Sequence, residues 1–208
     1  MKEYHKIQSI FKRDPVTNKF LLGQYSRPEI EYLANNEWEF TEKIDGTNIR
    51  VMYNEGKLEF GGRTDNAQIP ANLFKRLMEI FSLDRFQKIF PDCNQICLYG
   101  EGFGAKIQKG GGNYIKDGVS FILFDVFIGG FWLMPDDVKD IADKFGIFSV
   151  PTIGYGTLST AIDIVKNGLK STFGDFEAEG IVARPVVPMF SRNGDRIIVK
   201  IKGKDFKV

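Results

Sequence analysis

Between residues 7 and 61 the chain carries five short runs rich in β-branched and aromatic residues, Ile7–Phe11, Phe20–Leu22, Phe40–Ile44, Ile49–Tyr53 and Lys57–Gly61. Turn-forming Gly, Pro, Asn and Asp separate them, as in the Asn54-Glu55-Gly56 step, so the opening reads as strands. The next segment changes period. From Ala71 to Phe90 the apolar residues Leu73, Phe74, Leu77, Ile80, Phe81, Phe86 and Ile89 follow helical spacing, with a break near Ser82-Leu83-Asp84. One or two helices should therefore cover the sheet.

Further along, Ile96–Tyr99 and Ser120–Ile128 read as buried strands, Pro135–Phe145 and Thr160–Asn167 as helices, and Pro151–Gly156, Gly180–Ala183 and Arg196–Ile201 as closing strands. The predicted class is α+β, with antiparallel β-sheets flanked by helices. No internal repeat, low-complexity stretch or interdomain linker interrupts the chain, so residues 1–208 read as one domain. The Gly110-Gly111-Gly112 run predicts a mobile loop.

With 43% hydrophobic residues and 19 Phe, the chain has ample material for a core. Its net charge of +1 gives no global attraction to polyanions, so any nucleic-acid contact must come from local clusters of Lys and Arg. The N-terminus lacks the apolar stretch of a secretory signal, and no apolar run is long enough to span a membrane, which predicts a cytoplasmic protein. Cys93 and Cys97 have no second Cys/His pair to make a zinc site and read as reduced structural thiols. His5 is the only histidine, which excludes a histidine-based triad or a multi-histidine metal site. Chemistry here must run on Lys, Arg, Asp and Glu.

Residues 42–50 read Glu-Lys-Ile-Asp-Gly-Thr-Asn-Ile-Arg. Strand alternation projects Lys43 and Asp45 the same way from the end of Phe40–Ile44, and Gly46 lets the chain turn. Lys-x-Asp-Gly alone is weak, because it occurs by chance in roughly 5% of chains this long. Flanking strands and an Asp-Gly dipeptide suit an ordinary hairpin equally well. A lysine nucleophile needs more, since its free pKa is about 10.4 and nearby cations or desolvation must release its proton. Lys200 and Lys202, two apart on one strand, share a face and could supply that charge and hold a phosphate.

After Lys43 come, in order, Gly-Gly-Arg63-Thr, Tyr-Gly-Glu101-Gly-Phe-Gly, Phe-Ile-Leu-Phe124-Asp125-Val-Phe, Glu179-Gly-Ile-Val and Lys200-Ile-Lys202. This series resembles motifs I, III, IV and V of the covalent nucleotidyltransferases, the superfamily of RNA ligases, DNA ligases and mRNA capping enzymes, over roughly residues 40 to 206. Gly-Thr-Asn after the Asp, and Arg63 twenty residues beyond Lys43, are similar to the nick-sealing RNA ligases of T-even phages. Two departures stand out: Asp45 replaces the family's commoner His, and Arg50 leaves the DNA ligase pattern partly open.

The resemblance implies an ATP-grasp-like adenylation domain in which Lys43 takes up AMP, Lys200 and Lys202 hold the α-phosphate, Asp45 assists the lysine or metal, and Glu179 binds Mg2+ or Mn2+. It also implies nucleotide contacts from Glu42 near the adenine amino group, Glu101 on the ribose, Phe124 stacked on the base, and Arg63 on phosphate or the 3′-OH strand end. Asn48 would orient the reacting strand and Asp125 would anchor the site by hydrogen bonds. Lys106, Lys109 and Lys116, with Tyr114 among them and Arg50 elsewhere, are the candidates for nucleic-acid contact.

On this reading the chain is an ATP-dependent RNA ligase acting on RNA with 5′-phosphate and 3′-OH ends, in a bacterial or phage-infected cytosol. A DNA ligase or GTP-dependent capping enzyme using the same lysine stays open, as does a noncatalytic module that binds RNA ends. Only six residues follow Lys202, too few for the OB domain of DNA ligases or the C-terminal helical domain of phage RNA ligases. The expectation is a minimal ligase, an isolated catalytic domain, or a chain completed by an additional nucleic-acid-binding subunit.

Overall fold

The structure, a computed structural model, describes residues 3–207. In chain order the elements are β1 (Gln8–Ser9), β2 (Phe11–Arg13), β3 (Phe20–Tyr25), α1 (Pro28–Tyr32), β4 (Trp38–Lys43), β5 (Thr47–Asn54), β6 (Lys57–Gly61), α2 (Ala71–Ile80), α3 (Leu83–Ile89) and β7 (Gln95–Gly104). There follow α4 (Gly111–Tyr114), β8 (Val119–Ile128), β9 (Phe131–Trp132), α5 (Pro135–Phe145), β10 (Phe148–Ser149), β11 (Thr152–Gly156), α6 (Leu158–Lys166), β12 (Gly180–Pro185) and β13 (Val199–Lys202). The class is α+β, as the sequence predicts.

These elements form two compact units. Asp45–Val150 together with Tyr4 make a middle unit, and His5–Ile44 with residues 151–207 make a flanking unit. The chain crosses between them at Tyr4-His5, Ile44-Asp45 and Val150-Pro151, and no composition shift marks any of these places. One expectation is corrected here. Phe40–Ile44 and Ile49–Tyr53 do not form a hairpin, because β4 and β5 belong to different sheets.

The middle unit is built on a sheet of order β10-β8-β7-β5-β6, with β9 also paired to β8. Pairings are antiparallel except for the short β10 strand, which runs parallel to β8. Period-two alternation buries Ile49, Val51 and Tyr53 of β5 and Ile96 and Leu98 of β7 in one core, together with Leu73, Leu77 and Ile80 of α2. Those helical residues recur at i, i+4 and i+7, one stripe of the helix. The break expected near Ser82 is a new start, since the Ser82 hydroxyl accepts from the Arg85 amide and caps α3.

Helix α5 has its signals in the sequence. Pro135 opens it, Asp136 and Asp137 occupy the first turn, and Gly146 at φ 62° closes it in the left-handed conformation. Its buried Phe145 meets Phe81 and Phe86 with ring centroids 5.1 and 5.0 Å apart. Each such buried ring contributes roughly 1.5–3 kcal/mol of burial free energy.

The flanking unit's sheet runs β1-β13-β12-β4-β11, and a separate β2-β3 ribbon accompanies it. Trp38 and Phe40 of β4, Ile181 and Ala183 of β12, and Val199 and Ile201 of β13 pack on one face with Leu158, Ala161 and Val165 of α6. The Trp38 indole donates to the Leu33 carbonyl at 2.9 Å, so its polar edge is satisfied inside that core. Alternation then forces Glu39, Thr41, Lys43, Arg184, Lys200 and Lys202 onto the opposite face.

Candidate active site

On that polar face, register sets the geometry. Gly180 at the start of β12 lies opposite Lys43 of β4 on one side and Lys202 of β13 on the other, while Val182 lies opposite Thr41 and Lys200. The residue before Gly180, Glu179, reaches both lysines. Lys43 Nζ donates to Glu179 Oε2 at 2.6 Å, and Lys202 Nζ lies 2.5 Å from Oε1. All three side chains are only 16–20% exposed. Burial alone would raise the Glu179 pKa. The charge of Lys43, with hydrogen bonds from Lys202 and Lys43, outweighs that and holds the carboxyl below its ordinary value.

Gly180 is needed for this approach. At φ +152° it sits in the conformation that favours glycine, and a Cβ there would collide with the Ile201 carbonyl. A side chain would push β13, and Lys202 with it, away from Glu179.

Glu42, next to the lysine, turns the other way into the protein and is 1% exposed. Its carboxylate accepts from Ser171 Oγ at 2.6 Å, Thr172 N at 2.8 Å and Thr172 Oγ1 at 2.7 Å. The expected contact of its side chain with an adenine amino group is therefore corrected, because three protein donors already occupy the carboxylate. Instead it ties the strand that ends in Lys43 to the segment that leads into Glu179. Ser171 and Thr172 carried no signal in the sequence. Neither did the pair farther along the face, where Glu39 accepts from Thr152 Oγ1 at 2.7 Å and from Arg184 Nε at 2.8 Å.

The remaining candidates belong to the middle unit. β4 ends at Lys43, so Asp45 lies just beyond the strand and not on it. Gly46 next to it is not a left-handed turn residue. A Cβ there would meet the Gly102 carbonyl, so glycine serves close packing against β7. The Asp45 amide donates to the Tyr114 hydroxyl at 3.3 Å.

Asn48 and Glu101 are register partners across β5 and β7, on the sheet face opposite α2. The Asn48 Oδ1 atom is buried and has no hydrogen-bond partner among the described residues. Arg50, two residues on, is fully buried and donates from Nε to the Gly62 carbonyl at 2.8 Å and from Nη2 to Asp65 at 2.7 Å. Its expected role in contacting nucleic acid is therefore corrected. Arg63, by contrast, is exposed on the loop after β6.

Phe124 marks a bulge. Tyr99 pairs with Asp125 and Gly100 with Leu123, which leaves Phe124 as an extra residue on β8. The insertion shifts the alternation, so Phe121, Leu123 and Val126 all reach the core while Asp125 points to the opposite face. Phe124 is half-buried and meets the Tyr4 ring edge-on at 5.1 Å, and the Tyr4 hydroxyl donates to Asp125. Tyr4 lies 121 residues away in sequence, and nothing local announces it.

Lys106, Lys109 and Lys116 are exposed around α4. The Gly110–Gly112 run, expected as a mobile loop, lies at the start of a helix, α4. Gly111 packs so close to Gly104 that a Cβ would strike its carbonyl. Tyr114 is not a free stacking platform either, since its ring packs on Phe103 with centroids 5.8 Å apart. Cys93 and Cys97 are both free thiols, and burial pushes the Cys97 thiol up to about 11. Among the described residues no helix is long and apolar enough to cross a membrane.

These site residues sit in an α+β frame of antiparallel sheets. Structures of a Naegleria gruberi RNA ligase share it. The form with PPi superposes with a TM-score of 0.67 at 19% identity, covering 98% of this chain and 58% of that one. One point mutant with ATP and Mn gives the same values, and another with ATP and Mn covers 99% of this chain and 64% of that one. The chain thus spans less than two thirds of the length of these proteins. The family model described as RNA ligase matches residues 36–202. The chain belongs to the RNA ligase family.

Proposed function

We propose that this chain is the nucleotidyltransferase part of an ATP-dependent RNA ligase and that Lys43 is its nucleophile. The observation that carries the reading is the triad Lys43, Glu179 and Lys202, held at one end of a sheet by register. In the first step Lys43 Nζ attacks the α-phosphorus of ATP. A P–N bond forms, the bond to pyrophosphate breaks, and the amine loses its proton. A 5′-phosphate oxygen of the RNA then attacks the same phosphorus, which releases the lysine. Finally a 3′-OH attacks the activated 5′-phosphate, forming the phosphodiester and releasing AMP.

The structure suggests how the residues divide this work. Lys43 donates to Glu179, and its nitrogen must be free of its extra proton at the moment of attack, since an ammonium has no lone pair to offer. Lys202 and Lys200, on the same face, supply positive charge for the phosphate oxygens. Among the described residues no group of three or more acidic, His or Cys side chains is placed to hold a metal. Glu179 would be the protein's ligand for Mg2+ or Mn2+, since such ions bind nucleotide enzymes through one or two carboxylates plus substrate phosphates. When bound, such a cation offsets charge on the phosphate oxygens. ATP and Mn in the Naegleria gruberi structures support this choice of substrate and cation.

For the middle unit, Phe124 would offer a ring to the adenine, Glu101 would accept from the ribose, and Arg63 would meet a phosphate or the 3′-OH end. Asn48, with its buried unpartnered oxygen, would take a donor from the nucleotide or RNA. Asp45 would assist the lysine or the metal, and Lys106, Lys109 and Lys116 would neutralise RNA phosphates.

Incubation with labelled ATP or GTP tests this. Label that survives denaturation from ATP alone supports the reading, and label from GTP would point to a capping enzyme. No label on the intact protein would overturn it.

A further inference from the structure

Arg50 is a fully buried charge that the proposed reaction does not use. Its guanidinium holds two points on one loop, the Gly62 carbonyl through Nε at 2.8 Å and the Asp65 carboxylate through Nη2 at 2.7 Å. Those two residues bracket Arg63. The register of β5 on β6 places Arg50 opposite Gly61, directly under the start of the loop, and the Ala67 amide closes the turn by donating to the Thr64 carbonyl at 3.1 Å. Asp65 itself is 82% exposed. An exposed carboxylate has many solvated positions, so its location here is set from below by the buried guanidinium. The rigid fork of Arg can serve a carbonyl and a carboxylate together, whereas a lysine ammonium presents a single point.

We propose that Arg50 is a positioning residue that preshapes the Gly62–Asp65 loop and so presents Arg63 to an RNA phosphate or strand end. What Arg63 touches rests on the ligase reading above, but the latch does not. Arg50 acts through Arg63 and makes no contact with substrate. Holding the loop in advance lowers the ordering cost when RNA binds.

The test uses the full chain with Asp65→Ala, which removes the exposed partner and keeps the Arg50 side chain, beside Arg50→Lys, Arg63→Ala and the double variant Asp65→Ala/Arg63→Ala. Hydrogen exchange is followed at the amides of residues 62–68, and sealing is measured on a nicked RNA duplex already carrying AMP on its 5′-phosphate. Asp65→Ala is expected to speed exchange in the loop while leaving β5 protected, and to slow sealing about tenfold, as expected for a modest misplacement of a positioned group. Arg50→Lys should do the same. The double variant should seal no more slowly than Arg63→Ala alone. Unchanged loop exchange in Asp65→Ala, or losses that multiply in the double variant, would overturn the proposal. If the wild-type chain forms no Lys43 adduct, the ligase reading falls, and the exchange measurement alone still decides the latch.

Discussion

Lys43 and Glu179 are joined by a 2.6 Å hydrogen bond, and the second oxygen of the same carboxylate takes Lys202 at 2.5 Å. One carboxylate therefore separates two ammonium groups at the end of the sheet. Removing it in Glu179→Ala leaves the lysines facing each other with no counterion. The three side chains are mostly buried, so the fold should lose about 3 kcal/mol. Formation of the lysyl adduct should fall at least about 100-fold, as when a preorganised charge is removed from a reaction centre. Urea denaturation and adduct yield, measured on one preparation, check the two halves.

The same contact gives a pH signature. Because the folded-state pKa of Glu179 lies below its ordinary value of 4.5, its stabilising contribution is complete above that value and disappears as pH falls through the folded pKa. Wild type and Glu179→Gln should therefore differ by a constant stability from neutral pH down to about 4.5, and the difference should shrink below that. A gap that widens on acidification would reverse the assigned sign.

Glu42 offers a contrast, because its carboxylate is buried and serves structure. Glu42→Ala strands the buried Ser171 hydroxyl and takes the acceptor from the Thr172 amide, and we expect a loss of about 3 kcal/mol. Glu42→Gln should cost less, since one oxygen can still accept. Denaturation midpoints of the two variants test the ranking.

At Gly180 the backbone itself is the constraint. Gly180→Ala combines a strained φ with a clash against the Ile201 carbonyl, and should destabilise the fold by roughly 3 kcal/mol or more. Ala at Gly112, where a Cβ meets nothing within 4 Å, is the matching control and should change stability little.

Much of this was written in local patterns. Lys200 and Lys202 fall on one face because strand alternation is short-range physics, and α5 is bounded by its own proline and glycine. Contacts set by distant residues were not legible. Ser171 and Thr172 reach Glu42 from 129 and 130 residues away, and the bulge at Phe124 arises only when β8 meets β7. Arg50 could not be told from a surface arginine, since its burial depends on where Gly62 and Asp65 fold. The glycine run at 110–112 misled for a related reason. Glycine signals either freedom or close approach, and only the packed Gly104 shows that Gly111 needs the second.

The central claim is that Lys43 is the nucleophile, and the most direct measurement is mass spectrometry of the protein after incubation with ATP and a divalent cation. The account expects an added AMP mapped to Lys43, absent in Lys43→Ala and retained in Lys6→Ala. An adduct on any other residue, or one that persists in Lys43→Ala, would contradict it.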